Sequence, residues 1–544
     1  MEKGYFKRKM NFFWERFHKN KIWFHIAGII AIIWFLVRVV PKPDRIRYPC
    51  QQMAVATASG YIAFWAILWS AMFHGAALWM RRAKTKSGKF TPLLLVGMVI
   101  SFSVSSIVFA ETTSISKSEP QPWDPVVNDP IGTGVGVNPG RVAWVWNPNA
   151  TTKNFIGFWW KEKYNDQDVL NEMVSQGIRG LAGENSESAS WTAIFEYFNF
   201  EHGFGEVDYQ PGEKIAIKVN LNNCWQPANY YLFDNERDAS PYVVKALLWQ
   251  LTDVVGASQS DIYVYDASRL MPNWFYDRVA DDFPNVHYVD STGGAPGREK
   301  VVASSEKIYF ADSEGVVRTL PTVVTEAKYL IDMPIMKRHP IDYGVTLSGK
   351  NFFGTWMEVV SDVHNYHKAA FTAGNPAPQT DLLAHEHIGG KTLLYLGDAI
   401  FPTKIDHSTI GKYNMKPFNR DWTNSLFFSQ DPVAIDSVMY DFIYTEGCNP
   451  CEGSQNYLHQ CAEPPADTYD PEADGTYLSE SLGVHEHWNT EVDIFSSERY
   501  VGIDFVIIGE EHYKTRAVSR ETILQKIFLE FFNRLPIIQQ LLKI

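Results

Sequence analysis

The sequence predicts an α/β protein with a largely parallel or mixed sheet and flanking helices, preceded by three transmembrane helices. Two observations predict the globular part. Residues 214–221 (KIAIKVNL) and 261–266 (DIYVYD) are short apolar runs of the kind that form buried strands. Between them, Ser240 and Pro241 supply an N-cap and a first-turn proline for a helix that runs to Val255. This strand–helix–strand order is a βαβ unit, which implies parallel pairing of its strands.

Further strands and helices are predicted in alternation along the chain. The predicted strands lie at 141–146, 286–290, 307–310, 328–333, 391–397 and 500–508, and the predicted helices at 168–182, 188–200 and 431–444. Strands mixed with helices over this length favour a single α/β domain, which we place at residues 141–518.

The first 110 residues differ from the rest of the chain because they contain three long apolar runs. These runs, at 22–40, 54–80 and 92–110, have about the 20 residues that a membrane-spanning helix requires. Basic residues before the first run and between the second and third place both flanks in the cytoplasm, so the large domain is predicted to be extracytoplasmic. Residues 108–110 (VFA) resemble a signal-peptidase site, so cleavage after Ala110 stays open.

Two further segments flank the predicted domain. Residues 111–140 are rich in Pro, Gly, Ser and Thr and are predicted to be a linker. Residues 519–544 place apolar side chains at helical spacing and are predicted to form an amphipathic helix, either packed on the domain or lying on the outer leaflet. The net charge of −13 argues against nucleic-acid binding, which requires a basic face.

Polar side chains follow several predicted strands, at the carboxyl ends where open α/β sheets bind ligands. The stretch 331–356 is central because its apolar run leads into a loop that holds Lys350 between Gly349 and Gly354. The predicted catalytic residues are Lys350, Asp266 and Asp398, and the predicted ligand-binding residues are Asn220, Asn222, Lys337, His339 and Asn351. The lysine would neutralise an anion, and the carboxylates would hold a metal or move a proton. The alternative is that such groups only cap loops and helices.

Two histidine pairs are predicted metal ligands. His364 and His367 would share one face of a helix, and His385 and His387 would share one face of a strand. Asp266 or Asp398 with Asn220 would instead offer oxygen ligands to a divalent ion such as magnesium or calcium.

The cysteines and the membrane histidines suggest other chemistry. An extracytoplasmic location favours oxidation, so the disulfide candidates are Cys224, Cys448, Cys451 and Cys461, with a zinc site or free thiols as alternatives. Two further histidines, His25 and His74, are predicted at one depth of the first two membrane segments, where they could ligate a haem iron or, alternatively, simply reach headgroups or water at the interface.

Five motifs occur in a fixed order along the predicted domain. They are KIAIKVNL (214–221), DAS (266–268), GVTLSGKNFFG (344–354), GGKTLLYLGDAI (389–400) and SQDPVAIDSVMYDFI (429–443). Together they resemble the domain of unknown function 362 (DUF362) family, and in particular its exported branch, over most of residues 140–510. Some members carry iron–sulfur modules with CxxCxxC repeats, which this chain lacks, so the resemblance implies no such cluster here. It implies no particular reaction either.

The sequence leaves two functions open. The first is a membrane-anchored extracytoplasmic enzyme that acts on a small anionic substrate with a divalent metal. The second is a non-catalytic binding or electron-transfer accessory of a membrane complex, with other envelope proteins as partners.

Overall fold

The computed structural model describes residues 126–311, 315–339, 344–356, 373–447 and 452–512. Within these ranges no helix has the length and apolar character needed to cross a membrane. Several predictions fall outside the described residues: the three membrane segments with His25 and His74, the helix at 519–544, His364, His367, Cys448 and Cys451.

The described residues contain strands and helices in alternation. The strands are β1 (Ile131–Gly132), β2 (Arg141–Trp146), β3 (Ile215–Lys218), β4 (Ile262–Asp266), β5 (His287–Asp290), β6 (Glu299–Lys300), β7 (Ala303–Tyr309), β8 (Val317–Pro321), β9 (Tyr329–Asp332), β10 (Lys337–His339), β11 (Gly344–Thr346), β12 (Thr392–Ala399), β13 (Ser425–Ser429), β14 (Val484–His485) and β15 (Asp504–Ile508). The α-helices are α1 (Gln167–Ala182), α2 (Glu187–Glu201), α3 (Pro241–Trp249), α4 (Asn273–Ala280), α5 (Thr322–Thr325), α6 (Ser348–Asn351), α7 (Pro378–Ala384), α8 (Pro432–Thr445) and α9 (Glu452–Ala462).

Nine strands form one mixed sheet in the order β15-β2-β13-β12-β9-β3-β4-β5-β6. Strand β13 is antiparallel to both of its neighbours, and every other adjacent pair in the sheet is parallel. The predicted α/β class with a largely parallel or mixed sheet is therefore confirmed. The carboxyl ends of β9, β3 and β4, which are neighbours, lie along one edge of the sheet.

Apolar side chains cover both faces of the sheet, as expected for a mostly parallel one. In β2, the side chains of Val142, Trp144 and Trp146 pack in one core layer, while Ala143 and Val145 pack in the other. Helices α1 to α4 contribute to the second of these layers, and α7 to α9 contribute to the first. The sheet is thus a buried platform that fixes the positions of the loops at its edges.

Most predicted strands and helices are present, with local differences. The strand predicted at 307–310 is part of β7, which pairs with β8 outside the main sheet. The helix predicted to reach Val255 changes from α3 into a π-helical turn at Gln250–Val254. Strand β1 lies in the second half of the predicted linker and pairs with β14, so that half belongs to the domain.

Candidate functional site

A cavity of about 60 Å³ lies at the carboxyl ends of β3 and β4. One water needs roughly 10–15 Å³ of such volume, so the space suits a few waters or one small polyatomic group. The lining residues are Lys218, Asn220, Asn222, Asp266, Ser268, Arg269, His339, Thr346, Lys350, Asn351, Phe353 and Gly354.

A buried ion pair forms the floor of this cavity. Lys218 is the last residue of β3, and its Nζ lies 3.2 Å from Asp266 Oδ2 at the end of β4. Both side chains are buried. The other Asp266 oxygen accepts from Ser268 N and Ser268 Oγ, each at 3.1 Å, and Oδ2 also accepts from Leu221 N at 3.2 Å. Because both carboxylate oxygens are engaged, this geometry favours a positioning role for Asp266 over that of a free base.

Four side chains, two of which line the cavity, form one continuous hydrogen-bonded chain. Lys337 Nζ donates to Asn220 Oδ1 over 2.9 Å, and Asn220 Nδ2 donates to Asn351 Oδ1 over 2.9 Å. Asn351 Nδ2 then donates to Asp332 Oδ1 over 2.7 Å. A lysine can only donate, so it fixes the orientation of both amides. We call these four residues the amide chain.

Burial changes the proton affinity of the charged groups around the cavity. It lowers the pKa of Lys337 to about 7, against the opposing effect of the Asp238 charge. Burial also lowers the pKa of Lys218, although Asp266 and Asp332 oppose the shift. The Asp332 pKa is raised well above its usual range by burial, while the Asn351 hydrogen bond and Lys218 oppose this. Such shifts are typical of groups gathered in a low-dielectric site.

The short helix α6 carries Lys350 and Asn351 into the site. Its N-terminus is held by Asp436 of α8, whose two carboxylate oxygens accept from Ser348 N at 2.8 Å and Gly349 N at 3.1 Å. Free N–H groups at a helix start need such an acceptor. The helix therefore occupies a defined place, and its two functional side chains are positioned with it.

Gly354 permits the close approach of this segment to the ion pair. A Cβ at this position would lie 2.7 Å from Asp266 Oδ1 and 2.7 Å from Lys218 Nζ. The Gly354 carbonyl also accepts from Ala267 N over 2.8 Å. A residue with a side chain would force the Lys218–Asp266 ion pair to shift, so glycine is favoured there.

Basic groups outnumber acidic ones in the cavity lining. Lys218, Arg269 and Lys350 contribute positive charge, and Asp266 is the single carboxylate among the lining residues. Arg269 is fixed by Nε, which donates to Asn222 O over 2.9 Å. Thr346 Oγ1 is buried in the lining without a hydrogen-bond partner among the described residues. A small anion with several oxygens would satisfy both the positive charge and this hydroxyl.

Most of the predicted site residues converge at this cavity. Six of them line it: Asn220, Asn222, Asp266, His339, Lys350 and Asn351. Lys337 is fully buried and reaches the site through the amide chain. The structure thus brings these side chains together, and their chemical roles stay predictions.

Asp398 does not line the cavity, contrary to the prediction. It pairs with Arg237 NH2 at 2.6 Å and accepts from Ser240 N at 3.0 Å. The physical reason is the strand order, because β9 separates β12 from β3. The Asp398 side chain instead stabilises the loop that leads into α3.

The predicted His385–His387 pair does not lie on a strand. His385 follows α7 in a turn, where its Nε2 contacts Lys307 O at 3.1 Å and its Nδ1 accepts from His387 N at 3.0 Å. Both ring nitrogens of His385 are therefore in use. Across the described ranges, no group of three or more His, Cys, Asp or Glu side chains has a geometry suited to a metal ion.

Two of the predicted disulfide cysteines are free thiols. Cys224 is buried and its Sγ lies 3.4 Å from Asp238 Oδ2, while Cys461 is buried 3.3 Å from Thr380 Oγ1. Burial raises the pKa of both thiols. Each cysteine thus serves in local packing, and the predicted oxidation of these two is not seen.

Sequence reasoning missed several groups of the site. Lys218 and Asp332 end apolar strands, and a charged residue within such a run is itself a signal of a buried, paired charge. Ser268 is the last residue of the DAS motif and Arg269 follows it, so both were equally visible. Asp436 had no comparable signal, because its contact with α6 spans 88 residues of chain.

The cavity lies within a segment of the chain that matches a known family model. A family model described as "Domain of unknown function (DUF362)" matches residues 215–441. That segment includes every lining residue of the cavity. No curated protein matches the chain. The family description assigns no activity, so the function has to be argued from the cavity itself.

Proposed function

We propose that the α/β domain binds a small anion, such as a phosphate or carboxylate group, in the cavity at the ends of β3 and β4. The observation that carries this proposal is the lining itself, in which Lys218, Arg269 and Lys350 face one carboxylate, Asp266. Guanidinium and ammonium groups in a partly dry site bind oxyanions through charge-assisted hydrogen bonds.

The size and donors of the cavity support a single head group. About 60 Å³ holds a phosphate-sized group but not a nucleotide. Asn220 and Asn351 are held rigid by the amide chain, so they present fixed dipoles to the occupant. Preorganised donors bind an anion with little cost of rearrangement.

A divalent cation is the less favoured occupant of this cavity. Hard cations prefer several carboxylate or carbonyl oxygens. Here the one lining carboxylate already accepts from Lys218, and the other charged lining groups are basic. The metal-dependent enzyme suggested by the sequence would therefore need its metal to arrive together with the anion, which would neutralise the basic groups.

Binding of inorganic phosphate, sulfate and acetate to the full-length protein tests the proposal. Isothermal titration should give saturable binding of at least one of these anions. Arg269→Gln should weaken it about tenfold or more, because a hydrogen bond to a charged group is lost. The matched control is Lys300→Gln on the edge strand β6, where the side chain is exposed. Absence of binding, or equal loss in both variants, would refute the proposal.

We also propose that this domain is anchored in a membrane and lies on its extracytoplasmic side, as in the exported branch of the family. The support is the sequence of residues 1–110, with three apolar runs and basic flanks. Reporter fusions after Thr85 and after Pro122 test the topology. Alkaline phosphatase activity is expected only at the second site, and activity only at the first would contradict it.

A further inference from the structure

The loop between β3 and α3 begins and ends at the cavity. Asn220, a lining residue, accepts through its carbonyl from Ala239 N over 2.8 Å. Asn223 N donates to Asp238 Oδ1 over 3.0 Å, which closes the same loop a second time. We call residues 221–239 the β3–α3 loop.

Four large apolar side chains of this loop face solvent. Their exposed fractions lie between 54% and 62%, and they are Trp225, Tyr231, Leu232 and Phe233. We call this set the apolar strip. Single exposed apolar residues are ordinary, but four on one loop, three of them consecutive, indicate a contact surface.

Ordered contacts hold the far end of the strip in place. Trp160 Nε1 donates to Asp234 O over 3.0 Å, and Trp159 Nε1 donates to Glu236 O over 3.1 Å. The Phe233 ring lies 5.4 Å from that of Trp160. The exposed side chains therefore extend from a backbone that is fixed to the domain.

The near end of the strip lies beside the cavity. Trp225 follows the lining residue Asn222 by three positions, so their Cα atoms are at most about 11 Å apart. Arg269 Nε donates to Asn222 O over 2.9 Å, and Leu270 N donates to Cys224 O over 2.7 Å. The cavity wall and the start of the strip are thus one hydrogen-bonded unit.

We propose that the ligand of this site is amphiphilic, with its anionic group in the cavity and an apolar chain lying along the apolar strip. This inference rests on the proposed anion site. The cavity has room for the head group, and Asn222 and Arg269 are among its half-buried lining residues, so we place the rest of a larger ligand on their side of the cavity. At that point the ligand meets the strip, where aromatic and aliphatic side chains remove its apolar atoms from water.

A series of phosphate monoesters tests this inference on the full-length protein in lipid nanodiscs. Inorganic, ethyl, butyl and hexyl phosphate are used to displace radiolabelled phosphate. Affinity should rise by about two- to fourfold for each added methylene, as expected for partial to full burial. In the Trp225→Ala variant, and separately in Leu232→Ser, the gain in affinity for each added methylene should fall by at least about half. Their affinity for inorganic phosphate should stay that of the wild type.

The matched control is Phe204→Ala. Phe204 is similarly exposed, but its ring contacts Lys328, which precedes β9. It therefore lies at the amino ends of the strands, whereas the cavity lies at their carboxyl ends. This variant should keep the full gain along the series, and it also corrects for partition of the esters into the nanodisc.

The outcomes separate the two proposals. If phosphate does not bind, the anion site and this inference both fail. If phosphate binds but affinity does not rise with chain length, or rises equally in Trp225→Ala, the anion site stands and the amphiphilic ligand is refuted. A strip variant that loses only affinity for lipid vesicles would also refute it, because the strip would then contact the bilayer surface.

Discussion

The Lys337 ammonium donates to Asn220 Oδ1 over 2.9 Å at the inner end of the amide chain. Lys337 is buried and belongs to β10, whereas Asn220 follows β3, so this contact joins two separate segments of the site. Since a lysine has no acceptor, the contact determines which way the amide of Asn220 points. Asn220 Nδ2 then donates to Asn351 Oδ1, so the contact also determines the orientation of the Asn351 amide, which lines the cavity.

Asn351→Asp should weaken binding of a phosphate probe about tenfold or more, since it removes a donor and adds negative charge to the site. The lost donor is Nδ2, which now serves Asp332 Oδ1 at 2.7 Å. Titration calorimetry measures the change. The control is Asn149→Asp at an exposed position. Unchanged affinity in the site variant would mean that the amide chain does not support the anion.

Gly354→Ala should abolish phosphate binding, because the added Cβ would meet Asp266 Oδ1 and Lys218 Nζ at 2.7 Å. Gly390→Ala is the matched control, since its nearest neighbour would be His385 O at an ordinary 3.4 Å. Equilibrium dialysis with radiolabelled phosphate compares the two variants. Normal binding by Gly354→Ala would show that this close approach is not needed.

Lys218→Met should lower the free energy of unfolding by about 3–5 kcal/mol, because it leaves a buried carboxylate without its cation. Lys214→Met, only four residues earlier, removes the accessible partner of Glu326 and should cost about 0–1 kcal/mol. Denaturant unfolding followed by tryptophan fluorescence gives both values. Similar losses in the two variants would contradict the importance of burial at Lys218.

His485 should contribute a loss of stability on acidification below about pH 6.5. Burial, with His487 and His459 nearby, lowers the pKa of His485 well below 6.5. The unfolded chain then binds a proton that the native state does not, so the free energy of unfolding decreases as pH falls. His485→Phe should reduce this dependence by up to about one proton. Ser437 Oγ keeps its bond to Val433 O in that variant. Denaturation between pH 5 and 8 checks the slope, and an unchanged slope would exclude His485 as its source.

The sequence predicted those features of the fold that depend on local pattern. Apolar runs located β2, β3, β4 and β9, and strand ends predicted that Lys350, Asn220 and Asp266 would meet. Sheet order was not predictable in this way. The antiparallel insertion of β13 and the position of β9 next to β3 arise from contacts between distant segments. Asp398 ends up outside the cavity because β9 separates its strand from β3, and the sequence does not show this order.

The contacts of individual side chains were also not predictable from the sequence. His385 and His387 have the spacing of a strand pair, yet His385 caps the end of α7 and uses its ring nitrogens locally. The charge of Lys218 within an apolar run signals a buried ion pair, but the run does not identify its partner. Its ion pair with Asp266 becomes visible only when β3 and β4 are placed side by side.

The most direct test of the anion site is an anomalous difference map from crystals of the full-length protein soaked in selenate. We expect a selenium peak in the cavity, with selenate oxygens within hydrogen-bonding distance of the Arg269 guanidinium. The Arg269→Gln variant should lose the peak under the same conditions. A map with no peak in the cavity, while selenate occupies other basic patches of the same crystal, would contradict the central claim.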